Sequence, residues 1–222
     1  MKFINADIIW LGHSGFKIKL NGKIIYIDPF QISETEKADI VLITHSHYDH
    51  LSQQDLDKIV KDGTTVICTP DAQSKATRLN AKIDLMLAEP GREFSIDNIK
   101  IRTIESYNEK KAFHPKNESW VGYIIQNNGL VIYHAGDTDK IKEMEKLTGY
   151  AKKDNQFIIL LPVGGNFTMN AEEAAEAAFL IKPTLAIPMH YGSIVGSRAD
   201  AENFVKLCSE KGIKAEILEK GK

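Results

Sequence analysis

Three histidines and an aspartate fall within seven positions of the sequence, in the segment THSHYDH at residues 44–50. Neutral imidazoles and a carboxylate are typical ligands of divalent metals in hydrolytic sites, which keep one coordination position open for water. The apolar run DIVLI precedes the segment and indicates a buried strand, so the cluster lies at a strand end. A loop that merely contains one histidine is common, but three at this spacing predict a metal site.

The spacing inside this segment predicts two neighbouring metal positions. Side chains alternate between faces along extended backbone, so His45 and His47 project the same way and can bind one ion. Asp49 and His50 follow the strand end and can turn toward a second ion. The segment therefore provides ligands for two adjacent ions.

Three further acidic or histidine residues follow apolar runs elsewhere in the chain. Asp28 comes directly after KIIYI, Asp137 after GLVIYHAG, and His190 after TLAIPM. Each of them alone is compatible with ordinary turn or cap chemistry. Because strand ends at one edge of a sheet bring distant residues to a common cleft, we expect all three to join the histidine cluster.

Hairpins and buried strands surround these residues. The pair Asn21-Gly22 separates two strand-like runs and is the strongest short signal for a type I′ turn, because both residues tolerate a positive φ. Similar signals occur at Asp97-Asn98 and Asn127-Asn128-Gly129. The segments FIILLPV and TLAIPM indicate two more buried strands, and KAEILE at residues 214–219 predicts a last one.

Helices are predicted where cap and stop signals frame longer segments. Ser52 with Asp55 resembles a capping box, and Gly63 fits the stop of that helix. Asn170 with Glu173 starts another helix, which Pro183 ends. Further helices are predicted at 71–79, at 139–147 and over the segment that ends at Gly212. No linker divides the chain, which favours one α+β domain over residues 1–222, with mixed sheets covered by helices.

Composition narrows the class of protein. The chain has 222 residues, 43% of them hydrophobic, and a net charge of −2, so no general attraction to long nucleic acid or to anionic membranes is expected. Asp7 interrupts the first apolar stretch, which argues against a signal peptide, and we expect a cytoplasmic protein. Cys68 and Cys208 are expected to be reduced packing residues. The partner is a small-molecule substrate, and the oligomeric state stays open, with a homo-oligomer as one option.

The segment THSHYDH resembles the His-x-His-x-Asp-His signature of the metallo-β-lactamase fold hydrolases. The single-domain branch of this family, which includes ascorbate-6-phosphate lactonase, has motifs that resemble four further segments of this chain: WLGHSGF, DPF, YHAGDTD and PMHYG. The resemblance covers nearly the whole chain. It implies a four-layer αββα sandwich of two mixed sheets and a hydrolytic site with one or two divalent ions, zinc or manganese being the expected metals.

Positions that match the family's motifs imply a role for each residue. One metal position would be held by Asp49, His50, Asp137 and His190, with Asp137 able to bridge both ions. His45 and His47 would hold the other ion. Asp28 matches the acidic residue that braces the ligand loop without binding metal.

One departure from the family pattern leaves a metal position short of a ligand. The family commonly places a histidine after the strand that corresponds to IKIRTIES, where this chain has Tyr107 and Asn108. Either His114 folds back to complete the site, or His13 reaches it, or the second position is weak. His13 otherwise contacts the substrate or a ligand, and His134 is expected beside the ligands and not among them.

These residues favour hydrolysis, since a divalent cation lowers the pKa of bound water and polarises a carbonyl or phosphoryl oxygen. Asp49, His114 or metal-bound water could protonate the leaving group. Residues expected near the substrate or the ligands are Asn108, Gly165 and Tyr191. Four cationic side chains could attract a substrate anion, namely Lys110, Lys111, Lys116 and Arg198. The leading prediction is a hydrolase of a small ester or lactone. Its alternatives are a phosphodiesterase or nuclease of the same fold and a metal-dependent sensing protein without turnover.

Overall fold

The structure is a computed structural model that describes residues 2–3, 6–152 and 155–221. Two compact units make up the chain. The first unit runs to Glu89 and takes in the chain end from Leu218, whereas the second unit spans Pro90–Ile217.

The first unit contains a mixed sheet. Its strands are β1 (Lys2–Phe3), β2 (Ala6–Gly12), β3 (Gly15–Leu20), β4 (Lys23–Ile27), β5 (Ile40–Ile43), β6 (Thr65–Cys68) and β7 (Asp84–Leu87). Neighbours in the sheet follow chain order, antiparallel from β1 to β4 and parallel from β4 to β7. The helices of this unit are α1 (Gln53–Ile59) and α2 (Gln73–Ala76). Leu56 and Ile59 of α1 share one buried apolar cluster with Val41 and Ile43 of β5.

The second unit contains another mixed sheet. Its strands are β8 (Glu93–Ile96), β9 (Ile99–Glu105), β10 (Val121–Asn127), β11 (Leu130–His134), β12 (Gln156–Pro162) and β13 (Leu185–Met189). These strands also neighbour one another in chain order, antiparallel from β8 to β11 and parallel from β11 to β13. The helices α3 (Ala171–Ile181) and α4 (Arg198–Glu210) pack against each other. Two mixed sheets with helices confirm the predicted α+β class.

The hairpin predictions are confirmed. Asn21 and Gly22 have φ values of 52° and 75° and join β3 to β4 by a two-residue turn. Asn128 and Gly129, with φ values of 42° and 80°, do the same between β10 and β11. Positive φ at both turn residues is the type I′ conformation that matches the twist of the flanking strands. The Asp97-Asn98 turn likewise connects β8 to β9.

The predicted last strand at residues 214–219 is wrong. Only Ala215 forms a bridge there, pairing with Ala186 of β13. The N–H of Ala186 donates to the carbonyl of Lys214, and its carbonyl accepts from the N–H of Glu216. Because the segment bonds to β13 around this single residue, it does not form a ladder.

Three helix boundaries also differ from the predictions. The 71–79 helix begins as a 3₁₀ turn at Pro70–Ala72 and continues as the short α2. At 139–147 the chain forms a 3₁₀ helix only over Lys142–Leu147, because Ile141 is extended. Helix α1 ends at Ile59, where Val60 turns extended, so Gly63 belongs to the turn before β6 and does not stop the helix.

The start of α3 offers a test of the local sequence signals. Asn170 Oδ1 accepts from the N–H of Glu173 at 2.8 Å, and the Asn170 N–H donates to Glu173 Oε2 at 3.2 Å. Asn170→Ala removes the cap and should lower the free energy of unfolding by about 1 kcal/mol, measured by urea denaturation. Asn170→Asp retains the acceptor and should stay close to wild type. Equal losses in both variants would show that the cap hydrogen bond does not stabilise α3.

Candidate functional site

The first unit carries its predicted ligands between β5 and α1, braced by a residue from the end of β4. Asp28 Oδ1 accepts from the Thr44 N–H at 2.9 Å, and its Oδ2 accepts from the Thr44 hydroxyl at 2.6 Å. The same Oδ2 lies 2.7 Å from His50 Nδ1. Strands β4 and β5 are parallel, so their ends meet at one edge, and Asp28 there holds both the start and the end of the histidine segment.

Metal-binding atoms in this segment lie close together. His45 Nε2 is 3.0 Å from His47 Nδ1, and the ring centroids of His45 and His50 are 4.1 Å apart. Asp49 Oδ2 is 3.7 Å from His50 Nε2 and 2.9 Å from His13 Nε2. His13, Asp49 and His50 each offer a ligand atom within 4.8 Å of the others. These side chains, apart from half-buried His47, are almost wholly excluded from solvent.

The second unit brings together three predicted site residues at the ends of its strands. Asp137 follows β11 and His190 follows β13, on the side where these parallel strands end. His190 Nε2 lies 3.0 Å from Asp137 Oδ2, and His114 Nε2 lies 3.3 Å from the same oxygen. His114 arrives from the loop between β9 and β10. All three side chains are at most 3% exposed.

The backbone around His190 is held in an uncommon conformation. His190 has a φ of 58°, in the left-handed region that few residues other than glycine adopt. Gly164 lies so close that a Cβ atom there would be 2.3 Å from the His190 carbonyl oxygen. Sequence reasoning selected Gly165 instead, whose N–H donates to the Met169 carbonyl at 3.0 Å. The close approach at Gly164 was the missed signal, because glycine can allow such a contact.

Other predicted residues lie beside these ligands. His134 is fully buried on β11. Its Nδ1 accepts a hydrogen bond from the N–H of Gly136 at 3.2 Å, and Gly136 directly precedes Asp137. Asn108 Oδ1 lies 3.0 Å from His114 Nδ1. Tyr191 is buried directly after His190. Residues that the sequence reasoning missed are Thr44, Ser106 and Asp139, of which Asp139 could have been noticed as the second acid of GDTD.

The donors around Asp137 fit a divalent cation. His114 Nδ1 lies 3.0 Å from Asn108 Oδ1 and 3.1 Å from the Phe167 carbonyl oxygen, and both oxygens can only accept. Nδ1 therefore carries a proton, and in the neutral imidazole Nε2 presents its lone pair toward the Asp137 carboxylate. A lone pair and a carboxylate that converge in a buried place are the donor set that zinc or a similar ion binds.

Both cysteines lie outside these clusters as free, buried thiols. Burial raises the pKa of Cys68 and of Cys208 to about 12. Because the thiolate is the reactive form, neither side chain is suited to nucleophilic catalysis. Over residues 2–3, 6–152 and 155–221, no helix combines the length and the apolar character that crossing a membrane requires.

Comparisons with known proteins show the family of this chain. A family profile described as "Beta-lactamase superfamily domain" matches residues 7–190. A UPF0173 metal-dependent hydrolase from Thermococcus onnurineus is 36% identical over 96% of this chain and 95% of its own length. One from Thermoplasma acidophilum is 34% identical over 94% of this chain and 93% of its own.

Solved structures give the same result. A metallo hydrolase from Ignicoccus hospitalis is 26% identical and superposes with a TM-score of 0.78, covering 98% of this chain and 96% of its own. A candidate metal-dependent hydrolase from Parabacteroides distasonis is 29% identical, with a TM-score of 0.83 and coverage of 97% and 94%. The resemblance to ascorbate-6-phosphate lactonase stays a prediction, whereas the metallo-β-lactamase fold is confirmed. The chain belongs to the metallo-β-lactamase superfamily and, within it, to the UPF0173 metal-dependent hydrolases.

Proposed function

We propose that the chain hydrolyses a small neutral substrate, an ester, a lactone or a related compound, with a metal-activated water. In this proposal residues 1–222 serve as one catalytic domain. Membership in a family of metal-dependent hydrolases supports the reaction type. The proposed ligands are His45, His47, Asp49, His50, His114, Asp137 and His190.

The main support comes from the contacts of Asp137. Its Oδ2 lies 3.0 Å from His190 Nε2 and 3.3 Å from His114 Nε2 in a buried environment. A buried carboxylate is costly unless it is paired or coordinates a metal. Three donors that meet there from separate parts of the chain are better explained by a shared cation than by packing alone.

We propose one or two divalent ions, with zinc or manganese as the metal. Imidazole nitrogen suits zinc, carboxylate oxygen suits manganese, and the proposed ligands offer both donor types. When bound, such an ion lowers the pKa of a coordinated water and polarises the oxygen of the scissile group.

Asp49 is the better of the two predicted candidates for passing a proton to the leaving group. Its carboxylate lies 2.9 Å from His13 Nε2, so an imidazole can supply or accept that proton. The Nδ1 proton of His114 is instead held between two carbonyl oxygens, Asn108 Oδ1 and that of Phe167. We therefore assign His114 to metal binding and Asp49 to proton transfer in addition to its ligand role.

A neutral substrate is proposed because several cations that could have attracted an anion are already paired. Lys111 forms ion pairs with Asp139 and with Glu173. Lys116 Nζ lies 2.9 Å from Glu143 Oε1. At the start of α3, the capping box already uses the N–H groups of Asn170 and Glu173, which leaves fewer donors for an anion.

Exposed aromatic rings beside the ligands support an apolar group on the substrate. Phe113, next to His114, is 52% exposed and its ring packs edge-on against Phe167 with centroids 4.7 Å apart. Tyr48, between two proposed ligands of the other unit, is 64% exposed. Large exposed apolar side chains next to chemically active residues favour recognition of an apolar substituent.

Loss of a central ligand tests the proposed function. Asp137→Ala or His190→Ala should lower the metal content of protein purified without added metal and reduce kcat/KM for esters and lactones by more than about 100-fold. Replacing residues that only orient metal ligands already costs about 10- to 100-fold, and these variants remove the ligand itself. Elemental analysis and a panel of esters, lactones and phosphodiesters measure both effects.

Cys208→Ala is the control for this experiment, because Cys208 lies on α4 outside the proposed site. It should retain the metal content and activity of the wild type. Wild-type activity in Asp137→Ala and His190→Ala would refute the ligand assignments. Bound metal without turnover across the panel would favour the sensing alternative, and turnover of phosphodiesters alone would favour the phosphodiesterase.

We propose His114 as the ligand that the sequence left open, and this assignment can be tested separately. His114→Ala should lower the metal-to-protein ratio after dialysis against a weak chelator, because one of the Asp137 partners is removed. Phe113→Ala is the matched control, since it changes the neighbouring exposed ring and no metal-binding atom. An unchanged ratio in His114→Ala would exclude His114 as a ligand.

A further inference from the structure

The loop that carries His114 is tied to a buried carboxylate two residues after Asp137. Asp139 is 5% exposed and lies at the centre of this tie. Its carboxylate accepts hydrogen bonds from Asn108 Nδ2 at 3.1 Å, the Glu109 N–H at 3.0 Å, the Lys110 N–H at 3.3 Å and the Lys111 ammonium. Both oxygens of this carboxylate are therefore used as acceptors.

The side-chain amide of Asn108 is oriented by its two neighbours. Its Nδ2 faces the Asp139 carboxylate, which can only accept. Its Oδ1 accepts from the His114 backbone N–H at 3.1 Å, a group that can only donate. The two contacts agree on which end of the amide is oxygen, so the carbonyl of Asn108 points toward His114.

The orientation of Asn108, together with the Phe167 carbonyl 3.1 Å from His114 Nδ1, sets the proton on His114. Oδ1 of Asn108 lies 3.0 Å from His114 Nδ1 and can accept only, so Nδ1 must carry the proton. Nε2 then keeps the lone pair that lies 3.3 Å from Asp137 Oδ2. Only this tautomer lets Nε2 bind a metal, because a protonated ring nitrogen cannot.

We propose that Asp139 is a positioning residue, which selects the metal-binding tautomer of His114 through Asn108. This proposal rests on the proposed function in one respect, because the tautomer affects metal binding only if His114 is a metal ligand. A carboxylate is needed at position 139, because each of its oxygens accepts from donors. One oxygen faces the side chains of Asn108 and Lys111, and the other faces the N–H groups of Glu109 and Lys110. An amide would have to turn its NH₂ toward one of these two pairs of donors.

Asp139→Asn makes this requirement testable. The backbone N–H groups of Glu109 and Lys110 hold the oxygen of the new amide on their side, so its NH₂ faces Asn108. Rotation of the Asn108 amide relieves this clash, at the cost of the hydrogen bond from the His114 N–H, and presents an NH₂ group to His114 Nδ1. That arrangement favours a proton on Nε2.

Glu143 provides the control for a general loosening of the loop. On the far side of His114, Lys116 Nζ lies 2.9 Å from Glu143 Oε1, and the Tyr107 hydroxyl donates to Glu143 Oε2 at 3.0 Å. Glu143→Gln weakens this second tie but leaves Asp139 and the Asn108 amide in place. If Asp139 only anchored the loop and did not orient Asn108, both variants would change the tautomer of His114 to a similar extent.

The experiment is a long-range ¹H–¹⁵N correlation spectrum of ¹⁵N-histidine-labelled, metal-free protein, which reports the tautomer of His114 directly. Wild type and Glu143→Gln should show Nδ1–H alone, whereas Asp139→Asn should show a clear Nε2–H population. Zinc affinity of Asp139→Asn should fall about 10- to 100-fold. An unchanged tautomer in Asp139→Asn, or an equal shift in Glu143→Gln, would overturn the proposal.

Asn108→Ala tests the same contact if Asp139→Asn does not fold. It leaves the backbone hydrogen bonds of Asp139 intact and removes one of the two acceptors of His114 Nδ1. Because the Phe167 carbonyl remains, a smaller Nε2–H population than in Asp139→Asn should appear. A pure Nδ1–H signal in this variant would contradict the role of Asn108. The tautomer of His114 is measured in metal-free protein. A wild-type protein that binds no metal would therefore refute the proposed function without changing the tautomer result.

Discussion

The rest of the site depends on the contact between the Asp137 carboxylate and two imidazole nitrogens. Oδ2 lies 3.0 Å from His190 Nε2 and 3.3 Å from His114 Nε2, with all three side chains nearly excluded from water. Asn108 and Phe167 place the proton of His114 on the opposite ring nitrogen. A carboxylate and a lone pair that converge in a buried place repel each other unless a cation lies between them. The surrounding structure holds these three side chains together, and we propose that they bind such an ion.

Strand topology explains how distant residues reach this place. Asp137 and His190 each follow a strand of the parallel set β11–β13, so they share one edge of the sheet. The left-handed backbone of His190 and the missing side chain of Gly164 allow the close approach there. In the first unit, Asp28 ends β4 and holds the histidine segment that follows β5. Both units therefore use the same arrangement, with ligands placed where parallel strands end.

Local signals predicted much of this structure, whereas long-range contacts did not follow from the sequence. The positive φ values at Asn21 and Gly22 and the cap at Asn170 depend on neighbouring residues, and both were predicted correctly. The sequence left the position of His114 as one of three alternatives, because its loop is held by Asp139, 25 positions further on. Residues 214–219 have a strand-like pattern, yet their pairing is decided by β13, which bonds them only around Ala215.

The most direct test is anomalous diffraction from crystals grown with zinc or manganese, recorded on both sides of the metal absorption edge. We expect a peak within coordination distance, about 2.0–2.2 Å for zinc, of Asp137 Oδ2, with His114 Nε2 and His190 Nε2 among its ligands. A peak elsewhere, with direct hydrogen bonds from both imidazoles to the Asp137 carboxylate, would contradict the account.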